Sequence, residues 1–226
     1  MGTQSNGGTL IGVVATKIRD AIVAGELPPG GRLVISDLVG RFDVSPMPVR
    51  EALRRLEGEG LVEAEPNRGA TVRRLDTELV SNIYDIRACL EMMVVAQSAA
   101  NLTLADMRDI DAIESQYESA VAAGRMDDVM DSNRRLHERI NALGNNREAC
   151  VLLERGTGLI AALRSRFGFA RSRLSDAVEE HRALLDALKR GDGPAAAGLI
   201  RMHTVAAKKD MMERLSDVPH IGGHGK

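Results

Sequence analysis

Residues 43–72 read DVSPMPVREALRRLEGEGLVEAEPNRGATV, and their local signals decide the fold of the first third of the chain. Ser45 is a favoured residue before a helix, and Pro46 suits the first helical position, where its missing N–H costs little. Gly60 is suited to end that helix. Two short strand patterns follow at 61–64 and 70–73, separated by the turn sequence PNRG. The stretch therefore predicts a helix followed by a β-hairpin.

The residues before this stretch add two more helices. Apolar residues recur at helical spacing between Leu10 and Ile22, and the sequence LPPGGRL then enforces a turn. Ser36 resembles an N-cap for a short helix over 37–42. The resulting order of helix, helix, turn, helix and hairpin predicts a winged helix-turn-helix over residues 9–75.

The composition and the remaining pattern indicate an all-α second domain. Aromatic residues are 2% of the 226 residues and Trp is absent, so the core must be aliphatic. Apolar residues keep helical spacing over residues 76–215, with Gly and Pro at the breaks. The helices are expected at about 77–100, 103–123, 127–143, 147–167, 172–190 and 194–215. The predicted fold class is mainly α: a winged helix-turn-helix followed by an all-α helical bundle, with residues 1–8 and 216–226 disordered.

Charge, hydropathy and cysteine content narrow the functional classes. The net charge is −2, and residues 1–75 carry ten Lys and Arg against nine Asp and Glu, so any nucleic-acid contact must be local. No apolar run approaches the ~20 residues of a membrane span, and no signal peptide is evident, so we expect a cytoplasmic protein without a membrane partner. Cys89 and Cys150 lie in apolar helical patterns and are predicted to be buried free thiols.

Arginines mark the exposed side of the winged unit. Arg50 and Arg54 are four residues apart on the second helix of the helix-turn-helix, so they share an exposed face. Such a helix enters the major groove, where Arg contacts guanine or phosphate. Arg68 at the hairpin tip is placed to reach a minor groove or a phosphate. The alternative is a solvated face on which the arginines are balanced by glutamates of the same helix.

Two segments carry a family resemblance. SPMPVREALRRLEGEGLVEAEPNRGATV and the upstream AIVAGELPPGGRL resemble the DNA-binding motif of GntR-family bacterial transcription regulators over about residues 10–74. The resemblance implies that the residues facing DNA are Ser45, Arg50, Arg54, Arg68 and Gly69. Pro46 and Met47 stand where the family commonly has Arg and Thr, so one base or phosphate contact is expected to be missing.

Three histidines lie in separate predicted helices of the second domain. They are His137, His181 and His203, and Asn133 precedes His137 by one helical turn. Imidazoles that converge in a bundle core would bind a divalent metal ion such as zinc or nickel. The alternative is that each is an ordinary packed or surface side chain, because spacing along the sequence does not establish convergence.

A second resemblance concerns this domain. YDIRACLE, NRRLHERINALGNN and EEHRALLDALKRGD resemble the FCD effector domain of the FadR subgroup of GntR regulators. The resemblance implies an all-α bundle with metal ligands at Asn133, His137, His181 and His203. Asn133 replaces an Asp of the family pattern, so all the implied ligands are neutral. That neutrality should weaken metal binding and leave more positive charge for an anionic effector.

Arg87, in YDIRACLE, matches an arginine that points into the pocket of such domains. A buried guanidinium can hold a carboxylate through two parallel hydrogen bonds, which favours a small organic acid as effector. The alternative is that Arg87 pairs with Glu91, its neighbour one turn further along the helix.

Together these features predict a ligand-responsive bacterial DNA-binding regulator. We expect a repressor that acts as a homodimer on a palindromic operator, with a metal ion as cofactor and a small carboxylate as effector. The alternative is a metal-dependent hydrolase with an accessory nucleic-acid-binding module. We predict that the chain is not an enzyme, because the sequence has no H-E-x-x-H, nucleophile elbow, P-loop or dinucleotide fingerprint.

Overall fold

A computed structural model of the chain describes residues 6–65, 69–73 and 76–216. The helices are α1 Asn6–Val23, α2 Ile35–Phe42, α3 Pro46–Gly58, α4 Thr77–Asn101, α5 Leu104–Ala123, α6 Met126–Ala142, α7 Arg147–Glu154, α8 Thr157–Phe167, α9 Arg171–Lys189 and α10 Gly193–Leu215. The strands are β1 Arg32–Leu33, β2 Val62–Glu65 and β3 Gly69–Val72. The described residues form two compact units, one from 6–79 with 154–166 and the other from 80–153 with 167–216.

The helices of the first unit pack around α3. Both α1 and α2 contact α3, and most of their apolar side chains are buried, although Leu10 and Val13 of the predicted apolar stripe of α1 are exposed. The buried side chains include Val14, Ile18, Ile22, Leu38, Val49, Leu53 and Leu56. An ion pair also links α1 to the end of α3, because Arg19 Nη2 lies 2.7 Å from Glu59 Oε2.

A three-stranded antiparallel sheet completes this unit, in the order β1-β3-β2. The hairpin was predicted, but β1 was assigned to the preceding turn. The pairing of β1 with β3 depends on Gly69, which has φ 108° and whose Cβ, if present, would lie 2.0 Å from the Leu33 carbonyl oxygen. The winged helix-turn-helix prediction is therefore confirmed, with one more strand than expected.

Helix α8 belongs to the first unit, although the sequence predicted it as the end of a single helix over 147–167. The predicted helix is broken at Gly156, which takes φ 77°. Gly158 then packs so closely on the first unit that an added Cβ would lie 2.7 Å from Glu59 Oε2 and 2.8 Å from Arg19 Nε. The single helix predicted over 147–167 is therefore two helices, α7 and α8.

The second unit is a helical bundle, as predicted. The pairs α5–α6 and α9–α10 pack together, and α5 also contacts α9. Thr103 caps α5 in a capping box, with its side chain accepting from the Asp106 N–H. The core is aliphatic, and its most buried members include Val95, Ile110, Leu136, Ile140, Leu184, Leu188 and Ile200. Leu136, Leu184 and Ile200 of this core lie on the three helices that carry the predicted histidine ligands.

Several local predictions were wrong. Helix α1 begins at Asn6, so residues 6–8, predicted to be disordered, are helical; residues 1–5 and 217–226 lie outside the described part of the chain. The N-cap of α2 is Val34, and Ser36 lies inside the first turn. Cys89 is exposed and Cys150 half-buried, so only their free state, and not their burial, matches the prediction.

Candidate metal centre and recognition helix

Three imidazoles from three helices meet inside the second unit. His137 of α6, His181 of α9 and His203 of α10 are all buried, and one ring nitrogen from each lies within 4.8 Å of the others. Around a tetrahedral zinc ion with bonds of about 2.1 Å, neighbouring ligand nitrogens are about 3.4 Å apart. The widest of these separations would therefore have to shorten by about 1.4 Å to reach coordination distance.

A glutamate from the surrounding helices lies against each imidazole. His137 Nδ1 is 3.3 Å from Glu91 Oε1 of α4, and His181 Nδ1 is 2.9 Å from Glu114 Oε2 of α5. His203 Nδ1 is 2.7 Å from Glu180 Oε2 of α9. An ionised carboxylate only accepts hydrogen bonds, so for His137 and His181 these contacts place the imidazole proton on Nδ1 and leave the lone pair on Nε2. His203 Nδ1 is contacted by both an acceptor, Glu180, and a donor, Arg173 Nη2 at 3.2 Å.

The Nε2 atoms of His137 and His181 are buried and have no hydrogen-bond partner among the described residues. Buried polar atoms are nearly always hydrogen-bonded. Two unpaired Nε2 atoms beside a third imidazole therefore indicate a binding site for a group that accepts their lone pairs. A divalent cation supplies such a partner, and an all-nitrogen donor set suits zinc or nickel. The residues present therefore fit a metal ion.

Burial favours the neutral form of two of the imidazoles, those of His181 and His203. Burial lowers the pKa of His181, against the opposing effect of Glu114. Burial also lowers the pKa of His203 well below its usual value, and His181, His137 and Arg173 lower it further. Burial alone would raise the pKa of Glu91, but Arg87 and His137 outweigh it, so this carboxyl stays ionised. Neutral imidazoles and ionised outer carboxylates are the protonation states that metal binding requires.

These shifts predict a pH dependence for the metal-free protein. The folded chain keeps His181 and His203 neutral, while the unfolded chain takes up protons below about pH 6.5, so acid favours unfolding. Between pH 6.5 and 5.5 the free energy of unfolding should fall, by at most about 2 kcal/mol from these two groups. The lowered pKa of Glu91 costs stability only at lower pH, near and below its unfolded value of about 4.3.

Urea denaturation of the chelator-treated protein at pH 7.5, 6.5 and 5.5 measures this effect. The variant with His181→Gln and His203→Gln serves as the control, because it should lose most of the pH dependence whatever its absolute stability. Equal stability of the unmodified protein at pH 7.5 and 5.5 would contradict the assignment of two neutral buried histidines.

Two arginines pair with the glutamates that surround the three histidines. Arg87 Nη2 donates to Glu91 Oε1 at 2.8 Å, so the pairing considered as an alternative from the sequence is present. Arg173 Nη2 donates to Glu180 Oε2 at 2.8 Å and to the His203 carbonyl at 3.3 Å. Three carboxylates and two guanidiniums give the surroundings a net charge of −1 before a metal ion binds. The negative charge therefore lies in the side chains around the predicted ligands, and the prediction that the ligands themselves are neutral stays a prediction.

Sequence reasoning missed Glu114, Glu180 and Arg173. Glu180 directly precedes His181, which was an available signal. Glu114 is 67 residues from His181 in sequence, so only the packing of α5 against α9 reveals the contact. Asn133 is half-buried one turn before His137 on α6, and its role as a ligand stays a prediction.

The predicted DNA-facing residues lie on the first unit. Ser45 precedes α3 with an exposed side chain that makes no capping hydrogen bond. Arg50 and Arg54 are both exposed on α3; Arg54 Nη1 contacts Glu51 Oε1 at 2.7 Å, while Arg50 pairs with no described residue. Gly69 starts β3, and Arg68 lies outside the described residues.

A groove of about 740 Å³ runs beside the start of α3. Its lining residues are Arg32, Val34, Ile35, Ser36, Val39, Pro46 and Arg50. Arg50, but not Arg54, thus borders a concave, partly apolar surface. None of the helices in the described ranges is both long and apolar enough to cross a membrane.

A winged helix-turn-helix joined to a helical bundle defines a two-domain transcription regulator, and comparison with known proteins agrees. The model of the bacterial regulatory proteins of the gntR family matches residues 10–72, and the FCD domain model matches residues 82–206. The chain therefore belongs to the GntR family of bacterial transcription regulators and carries an FCD domain.

Individual relatives are also regulators. The chain is 29% identical over 210 residues to the HTH-type transcriptional regulator YdhC of Bacillus subtilis, with 91% of each chain covered. It is 27% identical to a probable D-xylose utilization operon transcriptional repressor of Paenarthrobacter nicotinovorans, covering 85% of this chain and 86% of that protein. The solved structure of Escherichia coli McbR/YncC has a TM-score of 0.69 at 25% identity, covering 88% of this chain and 97% of that one. These matches give no support to the hydrolase alternative.

Proposed function

We propose that the protein is a cytoplasmic, ligand-responsive repressor that leaves its operator when a small carboxylate binds at a metal centre in the helical unit. The observation that carries the proposal is the meeting of three buried imidazoles with two orphaned Nε2 atoms. An operator-binding domain linked to a ligand-binding centre has the two distinct sites that allosteric control requires.

The metal centre would be held by His137, His181 and His203, with Asn133 as the fourth protein ligand. Asn133 projects from the same face of α6 as His137, one turn earlier, and its amide oxygen is a neutral donor. Imidazole ligands favour zinc or nickel as the ion. When bound, the ion supplies a positive charge and open coordination positions that accept a carboxylate oxygen.

Arg87 is the residue we assign to the effector. Its guanidinium is close to His137 through their shared contact with Glu91 Oε1, and its side chain is 18% exposed, so it is not fully enclosed. A guanidinium can hold Glu91 and still donate to a second acceptor, because it has five N–H donors. The pairing and the effector role are therefore compatible, and a small organic acid is the matching ligand.

The DNA-binding face comprises Ser45, Arg50, Arg54 and Gly69, with Arg68 proposed from the sequence alone. With α3 in the major groove, Arg50 would contact a guanine or a phosphate, and the Ser45 hydroxyl would contact the backbone. One unit of this size reads one half-site, so a homodimer on a palindromic operator is the matching assembly.

Chain connectivity offers a route between the two functions. Helix α8 packs in the first unit, and residues 168–170 connect it directly to α9, which carries His181 and Arg173. The Ala170 N–H donates to Asp210 Oδ1 of α10, the helix of His203. A ligand that draws α9 and α10 together would therefore pull on the segment leading to α8, provided that its affinity differs between the two arrangements.

Operator release is the experiment that tests the proposed control. An operator selected from genomic fragments is labelled, and its binding is followed by fluorescence anisotropy while mono-, di- and tricarboxylic acids are added. At least one acid should release the operator from zinc- or nickel-loaded protein and not from chelated protein. Equal release with and without metal, or no release by any acid, would contradict the proposal.

Arg50→Ala should weaken operator binding by about 1–3 kcal/mol if the guanidinium reads a base. The side chain is exposed and pairs with no described residue, so its loss should leave stability unchanged. Affinity is measured by anisotropy at one fixed salt concentration, because phosphate contacts are salt-dependent. The control is Arg125→Ala, which removes an exposed, equally charged side chain from the other unit. A change of less than twofold for Arg50→Ala would rule out its proposed role.

A further inference from the structure

The first turn of α3 is unusually poor in hydrogen-bond donors. The helix begins Pro46, Met47, Pro48, Val49, and its N-cap Ser45 makes no side-chain capping bond. The first four N–H groups of a helix normally remain available to bind phosphate or other acceptors. Here two of these four positions are prolines, which have no N–H. This end of the helix is therefore a weak donor surface.

Met47 is the exposed side chain of that turn. It is 61% exposed, whereas Val49, Ala52, Leu53 and Leu56 of the same helix are buried. Met47, Arg50 and Arg54 follow one another at spacings of three and four residues, so they form a single exposed stripe along the helix. The stripe is thus apolar at its start and cationic one and two turns further on.

We propose that Met47 reads the methyl group of a thymine in the operator, next to the position contacted by Arg50. This inference rests on the proposed function, which places α3 in the major groove. The thymine C5-methyl is the apolar group that a base pair presents in that groove. A thioether side chain has no strong donor, but it is flexible and polarizable enough to pack against a methyl group. The specificity at this position would therefore come from apolar contact instead of hydrogen bonding.

The test removes only that methyl group. The full-length protein first selects its operator from a pool of random duplexes, and each thymine of the selected site is then replaced singly by deoxyuridine. For one thymine in each half-site, the change should weaken binding by about fourfold, the value of one buried methyl-sized group. Met47→Ala should bind the thymine and uracil duplexes equally at that position.

Two further variants sharpen the result. Met202→Ala removes a methionine that is 67% exposed in the other unit, and it should keep the full thymine preference. Met47→Arg should change the preferred base at that position to guanine, since arginine bonds to guanine O6 and N7.

The contradicting outcomes are distinct from failure of the proposed function. Wild-type protein that tolerates uracil at every position would overturn the role of Met47, as would Met47→Ala that keeps the thymine preference. If Arg50→Ala weakens binding in the same assay, α3 still contacts DNA and only the inference about Met47 fails. If Arg50→Ala has no effect either, the assignment of α3 to the groove fails as well.

Discussion

The double variant His137→Ala with His181→Ala is expected to lose its divalent metal ion and its response to carboxylates while binding operator DNA with unchanged affinity. It removes two of the three imidazoles that meet in the second unit. Structural zinc sites with four ligands contribute roughly 10–16 kcal/mol, so the loss of two ligands should weaken metal binding by at least about a thousandfold. Operator affinity should persist because the DNA-facing residues lie in the first unit.

Metal content is measured by elemental analysis after desalting, and operator binding by anisotropy with and without the acids that release wild-type protein. The matched control is His220→Ala with His224→Ala, which removes the same number of imidazoles outside the three-histidine site. Circular dichroism of both variants checks that the helices remain. A double variant that still binds one metal ion per chain, or that still releases its operator normally, would refute the assigned ligands.

Glu91→Gln should lower the free energy of unfolding by about 3 kcal/mol and also weaken metal binding. The carboxylate is fully buried and is shared by Arg87, His137 and Thr204, whose hydroxyl donates to Oε2 at 2.7 Å. Removing one member of a buried ion pair leaves the other charge uncompensated, which typically costs 3–5 kcal/mol. Loss of the partner that orients His137 should reduce metal affinity by about 10–100-fold.

Urea denaturation of the chelated protein separates the stability effect from the metal effect, and competition with a chromogenic chelator gives the metal affinity. Asp85→Asn is the matched control, because it neutralises a carboxylate of the same helix whose pair with Lys208 is exposed. That control should cost less than about 1 kcal/mol. If Glu91→Gln is as stable as Asp85→Asn, the buried network does not stabilise the fold as described.

Local signals made most of the first unit predictable. The two ends of α3 are predicted correctly from Ser45, the prolines that follow it and Gly60, because these residues act on neighbouring backbone groups. The strand β1 was not predicted because it has only two residues and forms only by pairing with β3. That pairing requires Gly69, which lets the two backbones approach closely. The separation of α7 from α8 was also missed, since Gly156 interrupts an otherwise continuous apolar pattern.

The candidate metal site was only partly predictable. The sequence places its three histidines in separate helices, and a family resemblance implies that they are ligands, whereas their convergence depends on how α6, α9 and α10 pack. The carboxylates beside the histidines could not be predicted for the same reason. Glu114 contacts His181 although the two residues are 67 positions apart in the sequence. Short-range spacing revealed only the Arg87–Glu91 pair, because those residues share one helix.

Native mass spectrometry of the purified protein, incubated with zinc or nickel and then desalted, tests whether the three histidines hold a metal ion. We expect a dimer that carries one divalent ion per chain and keeps it during desalting, with elemental analysis identifying the metal. A dimer or monomer that stays metal-free after incubation with either ion would contradict this expectation, because the three buried imidazoles would then have no cation to hold.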